Sequence, residues 1–157
     1  MRGCSSRLLL GFFACTLAVV PLAGCNDKVV HLGSSTSKLD EFLQSNKPVV
    51  VDFYKTLCPP CSMVDPIIDR LADEYDGQVS FGRFTIMNFF LIITNWEVHK
   101  RYGIGMVPTV ILFVKGEEKH RWVLNLDTNS YRKVLDEYRG HSATQPDSPV
   151  TGNSPSP

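Results

Sequence analysis

The sequence has no excess of charge of either sign: Lys and Arg number 16, Asp and Glu 16. Without a basic stripe there is no electrostatic footprint for nucleic acid, and nothing marks the chain for an anionic membrane surface. Long apolar runs are scarce. The N-terminal run Leu8 to Val20 is too short to span a bilayer comfortably. Histidines are few (His31, His99, His120 and His141) and scattered. None stands at ligand spacing with a cysteine pair, so they read as surface residues and no metal site is expected.

What is present is concentrated in one stretch, Val49-Val50-Val51-Asp52-Phe53-Tyr54-Lys55-Thr56-Leu57-Cys58-Pro59-Pro60-Cys61. The β-branched apolar run predicts a buried strand. After the cysteines, Met63, Val64, Ile67, Ile68, Leu71 and Tyr75 recur at helical spacing. Cys58 therefore falls where a strand gives way to a helix. Free N–H groups and the positive end of the helix dipole stabilise a thiolate there. Cys61, one turn further in, can reach back to form a disulfide. Pro59 and Pro60 are tolerated because the first helical turn has no internal use for their N–H groups.

These residues resemble the thioredoxin family. Asp52 precedes Cys58 by six, where the family keeps a buried acid, and Pro66 follows Cys61 by five, where the family's active-site helix kinks. Val107-Pro108-Thr109 is similar to the family's cis-proline loop, and Lys115-Gly116-Glu117 to its turn between the last two strands. The resemblance covers residues 28 to 140. It implies an α/β thioredoxin fold, a central mixed sheet flanked by helices. It also implies Cys58 as nucleophile, Cys61 as resolving thiol and Asp52 as acceptor of the Cys61 proton. Pro59, Pro60, Val107, Pro108 and Thr109 would contact the substrate, Val107 offering its backbone to an extended client. An acid inside an apolar strand suits that role, since burial raises a carboxyl toward neutrality. The competing reading is a structural acid satisfied by a cation. Arg83 stands where the family often has a partnering Lys, so both readings stay open.

The N-terminus reads as a targeting segment. A basic start (Arg2, Arg7) and the apolar run lead to Leu22-Ala23-Gly24-Cys25. This resembles the bacterial lipoprotein signal, in which the Cys is lipidated and becomes the mature N-terminus. The alternative is an ordinary secretory signal with an incidental Cys. In the lipoprotein reading residues 1–24 are signal and 25–27 a tether. Cys4 and Cys15 leave with the signal and Cys25 is capped by lipid. A single redox pair, Cys58 and Cys61, remains, with no further cysteines to close a structural zinc site.

Along the domain, a strand is expected over Lys28 to Leu32, then a helix capped by Ser37 or a neighbour and carrying Leu39, Phe42 and Leu43 inward. The strand 49–54 and a helix to Tyr75 follow, then a strand over Val79 to Ile86 and a short helix over Trp96 to Tyr102. A hairpin is expected over Thr109 to Val114 and Lys119 to Leu124, and a last helix over Thr128 to Arg139. The polar Ser- and Pro-rich tail, 141–157, is expected to be disordered.

Three features depart from the family. Leu57 replaces the Trp common before the first Cys. Leu124 stands where a Gly is frequent. Between Phe84 and Trp96 the chain is longer than the family pattern by about six residues, and Phe89 to Ile93 is apolar. Two readings of that stretch are open: an extended strand or turn tucked into the core, or a client-docking patch beside Cys58.

The function expected is a membrane-anchored, extracytoplasmic thiol-disulfide oxidoreductase. It would act on protein disulfides, need no cofactor beyond the Cys58–Cys61 disulfide, and be recharged by a membrane thiol donor. Pro59 and Pro60 offer a thiolate neither charge nor N–H, which argues for a reducing pair. The alternatives are a Cu(I) metallochaperone using Cys58, Cys61 and Met63, or a non-catalytic client-binding module.

Overall fold

The structure is a computed structural model that describes residues 28–87 and 93–140. The expectations for Cys25, for the signal and tail, and for most of the Phe89 to Ile93 stretch lie outside the described residues.

The elements follow in the order β1 (Val29–Gly33), α1 (Thr36–Leu43), β2 (Val49–Lys55), α2 (Pro59–Glu74), β3 (Ser80–Met87), α3 (Trp96–Arg101), β4 (Thr109–Val114), β5 (Glu117–Val123) and α4 (Thr128–Tyr138). One sheet has the strand order β1-β3-β2-β4-β5. β1 and β2 both pair with β3 in parallel, while β4 runs antiparallel to β2 and β5 antiparallel to β4. Parallel strands need crossovers. α1 and α2 supply them on opposite faces, as right-handed connections require when the chain first passes β3 and then returns to it.

Each face buries an apolar layer. On one, Leu39 and Leu43 of α1 and Val98 of α3 cover Val49, Val51, Phe53, Ile86, Ile111 and Phe113. On the other, Val64, Ile68 and Leu71 of α2 and Tyr131 and Leu135 of α4 cover Val50, Phe81, Val110, Leu112 and Trp122. Gly82 is a point of close approach: a Cβ there would lie 2.7 Å from the Phe42 ring of α1. On the α2/α4 face Trp122 stacks on Tyr131, centroids 4.6 Å apart, and its indole N–H donates to Ser130 Oγ. The second tryptophan, Trp96, is exposed at the start of α3, stacked on His99 with Lys100 over its ring. Among the described residues no helix is long and apolar enough to cross a membrane.

Several boundaries differ from those expected. The cap of α1, expected at Ser37 or a neighbour, is Ser35; Ser35 Oγ accepts from Lys38 N–H and also bonds Ser37 Oγ. β5 begins at Glu117 rather than Lys119. The two-residue turn Lys115–Gly116 has both φ positive, 54° and 79°, which suits the twist of a tight hairpin and starts pairing at once. A bulge between Leu112 and Phe113 then absorbs one residue. β3 runs on to Met87, and the chain returns through a Met87–Ile93 antiparallel bridge. Met63, one of the apolar residues at helical spacing in α2, is exposed.

Candidate active site

β2 delivers the cysteines. Its carboxyl end passes into Thr56 and Leu57, and Cys58 caps α2 in an extended conformation, φ −110° and ψ 104°. Pro59 and Pro60 occupy the first two helical positions. They have no N–H to leave unsatisfied. The next donor, Cys61 N–H, goes to Cys58 Sγ at 3.3 Å, and Ser62 N–H closes the first helical bond to the Cys58 carbonyl at 3.1 Å. The helix start is thus satisfied with one N–H reaching the Cys58 sulfur. Cys58 and Cys61 are joined as a disulfide with Cα atoms 5.2 Å apart. Both are nearly closed off, at 6% and 3% exposure.

The proline loop comes to the same place because β4 runs antiparallel to β2. Its first residue, Thr109, pairs with Phe53 near the carboxyl end of β2. The Val107–Pro108 peptide is cis. Thr109 Oγ1 donates to the Met106 carbonyl at 2.6 Å, and Leu124 N–H donates to the Pro108 carbonyl at 3.1 Å, tying the end of β5 to the loop. Leu57 and Leu124, two of the three departures from the family, both hold a positive φ, 54° and 51°. That region is strained for a non-glycine side chain. Both side chains are exposed, at 72% and 46%, and with Met63 and Met106 they give this end an apolar rim. The sequence pattern signals the rim only at Leu57 and Leu124, through the replaced Trp and Gly.

Asp52 lies one strand pair deeper than Phe53, on the α2/α4 face, at 0% exposure. Among the described residues neither carboxylate oxygen has a hydrogen-bond partner. Burial pushes its pKa up to about 7, the Arg83 charge pulls the other way, and Asp65 adds to the rise. Of the two readings left open for Asp52, the acid satisfied by Arg83 is not formed as a hydrogen-bonded pair. Arg83 stands opposite Asp52 in the β2–β3 ladder, but its Nη2 donates to the Asp65 carbonyl at 3.0 Å and to Asp69 Oδ1 at 2.9 Å. Asp65 and Asp69 are functional candidates that the reading of the sequence missed. Their four-residue spacing is visible in α2, but their strand partner is 14 to 18 positions away.

The flanks of the apolar stretch are fixed at this end of the sheet. Met87 carbonyl accepts from Thr56 N–H at 3.2 Å, and Thr94 N–H returns to the Ile86 carbonyl at 2.9 Å. A separate cleft of about 590 Å³ lies at the β1 edge, lined by Val30, Leu32, Lys38 and Phe42 among others. None of the sulfur chemistry reaches it.

A capped cysteine pair at a strand end, a buried acid behind it and a cis-proline loop beside it define a thioredoxin-type disulfide oxidoreductase site. The thioredoxin family profile matches residues 30–137, and the chain belongs to the thioredoxin family. It is 33% identical over 100 residues to a thioredoxin of Chlorobaculum thiosulfatiphilum, covering 64% of this chain and 87% of that one. It is 38% identical over 77 residues to an M-type chloroplastic thioredoxin of Brassica napus, covering 49% of this chain but only 40% of that longer protein. Among solved structures it is similar to a thioredoxin of Malassezia sympodialis, with a TM-score of 0.59 at 22% identity over 70% of this chain and 90% of that one. A mutant thioredoxin of Halobacterium salinarum gives 0.58 at 26% identity, over 70% and 91%.

Proposed function

We propose that this protein is a membrane-anchored, extracytoplasmic protein-disulfide reductase. In its reduced form the Cys58 thiolate attacks a client disulfide, forming a mixed disulfide and releasing one client thiolate. Asp52 takes the Cys61 proton, and Cys61 attacks Cys58 Sγ, releasing the second client sulfur. Two electrons and two protons pass to the client, and the Cys58–Cys61 disulfide remains. A membrane dithiol donor restores the pair. Pro59, Pro60 and Val107 line the approach, Pro108 and the buried Thr109 shape the loop behind it, and the Val107 main chain pairs with an extended client segment.

The observation that carries the direction of transfer is the start of α2. A single N–H, from Cys61, reaches the Cys58 sulfur, and two prolines occupy the positions that could have supplied more. A thiolate with one donor is less stabilised than one with several, so the dithiol gives up its electrons more readily. The lipoprotein-like Leu22-Ala23-Gly24-Cys25 run supports the anchor. Equilibrating the purified full chain with dithiol buffers tests the direction. A midpoint near about −270 mV supports a reductase, and one near about −120 mV overturns it in favour of an oxidant. Cys25→Ser should release the protein from membranes; retention of the variant there overturns the anchor.

A further inference from the structure

Arg83 and Asp52 are direct neighbours in the β2–β3 ladder, so both side chains leave the sheet on the same face. A cation beside a buried carboxylate ordinarily closes an ion pair, because an unpaired buried charge is costly. Here the guanidinium is engaged elsewhere. Its Nη2 bridges the Asp65 carbonyl and the Asp69 carboxylate, and its Nε lies 3.3 Å from Asp65 Oδ1 without hydrogen-bond alignment. Asp65 and Asp69 are four apart on α2 and share one side of that helix. The Arg83 side chain is largely buried, while the two acids stand partly in solvent.

The groups acting on Asp52 come from each element packed around it. β3 brings Arg83 and α2 brings Asp65. β4 brings the apolar Val110 in the paired position. α4 brings Tyr131, whose hydroxyl titrates higher than usual through burial and, second, the Asp52 charge. That hydroxyl donates to the Asn125 carbonyl, so it is not spent on Asp52. The position of the Arg83 guanidinium therefore decides whether Asp52 is an ion-paired carboxylate or a free one.

We propose that Asp65 and Asp69 are positioning residues for disulfide exchange: they hold the Arg83 guanidinium against α2 and so leave Asp52 free to accept and return the Cys61 proton. The proposal rests on Asp52 being that acceptor. A guanidinium closed onto Asp52 would lower its proton affinity by about 1–3 pH units. The carboxylate would then be a weak base at neutral pH. With the clamp in place its pKa stays at about 7, where uptake and release are both accessible.

The test uses the full chain and two readouts. One is the Asp52 carboxyl titration by ¹³C NMR, which needs no turnover. The other is the pH profile of client release from the Cys58 mixed disulfide. In Asp65→Asn/Asp69→Asn both midpoints should fall together, by about one pH unit or more. Adding Arg83→Gln to that background should bring the Asp52 midpoint back up, because no guanidinium is left to pair with it. In the otherwise wild-type chain, where the guanidinium is already held against α2, Arg83→Gln should raise the Asp52 midpoint by less than it does in the double variant; equal rises in the two backgrounds overturn the clamp, since the Arg83 and Asp65 charges acting directly would give them. Asp65→Asn alone, on a partly exposed side chain, serves if the double variant is poorly folded, with a smaller fall in the same direction. An unmoved Asp52 midpoint in folded variants overturns the clamp and leaves the acceptor role of Asp52 standing. A moved midpoint with an unmoved release profile overturns the acceptor role, and with it the catalytic purpose of the clamp.

Discussion

Val49, Val51 and Phe53 leave β2 on one face, and Val50 and Asp52 on the other. The first face meets Leu39, Leu43 and Val98 in a wholly apolar layer. The second is covered by the apolar side chains of α2 and α4 along most of its length, but a carboxyl replaces a hydrocarbon three residues before the strand ends. A two-residue period lets adjacent positions serve opposite purposes, since Asp52 and Phe53 share a backbone but not an environment. Both faces hold the fold together through their apolar layers, but one accepts a cost in stability at the position that faces the cysteines' helix.

Substitutions can separate the two. The largest effect is expected where β2 ends. Cys58→Ser should abolish turnover, while Cys61→Ser should accumulate mixed disulfides with clients, visible on non-reducing gels. Trapping by Cys58→Ser instead would exchange the two roles.

Phe53→Ala, on the apolar face, should cost about 3–5 kcal/mol in denaturant unfolding, nearly independent of pH. A strongly pH-dependent loss would show that the faces are not independent.

Asp52→Asn should behave oppositely. The native carboxyl titrates at about 7 against 3.8 for a free one. Between those values the folded state holds a proton that the unfolded state has lost, so wild-type stability declines as pH rises through this window. Relative to wild type, the variant should gain about 4 kcal/mol between pH 4 and pH 8 as an upper figure. Its step requiring a deprotonated Cys61 should be slower. A flat difference across that window would mean that Asp52 titrates normally.

The smallest effect is expected at the rim. Leu124→Gly should stabilise the protein by about 1 kcal/mol, because the strained φ is natural for glycine. Reduction of protein disulfides should fall more than that of a small disulfide. Equal rates on both would take Leu124 out of client contact.

Much of this was legible in the sequence. The Val49–Val51 run, the helical spacing after Cys61 and the Gly116 turn each follow from a local pattern, and the elements appear where expected to within one or two residues. The cis peptide at Pro108 and the depth of Asp52 came from the family resemblance. What escaped was set by competition or distance. Ser34, Ser35, Thr36 and Ser37 are all capable caps, and the one whose Oγ meets Lys38 N–H is chosen by the path of the chain. The Arg83 contacts join a strand to a helix 14 to 18 residues earlier, so no local pattern reveals them. The positive φ at Leu57 and Leu124 has no residue signature, since leucine gives no hint of a left-handed backbone.

The two tryptophans sit in different surroundings, and this gives the molecule two optical channels. Trp122, dry and stacked on Tyr131 beside the row that contains Val110 and Asp52, should emit toward the blue and be shielded from dissolved quenchers. Trp96, wet and lying on His99, should emit toward the red and be open to them. With iodide present the remaining fluorescence should come from Trp122. Rearrangement around the buried acid can then be followed in solution without attaching a dye.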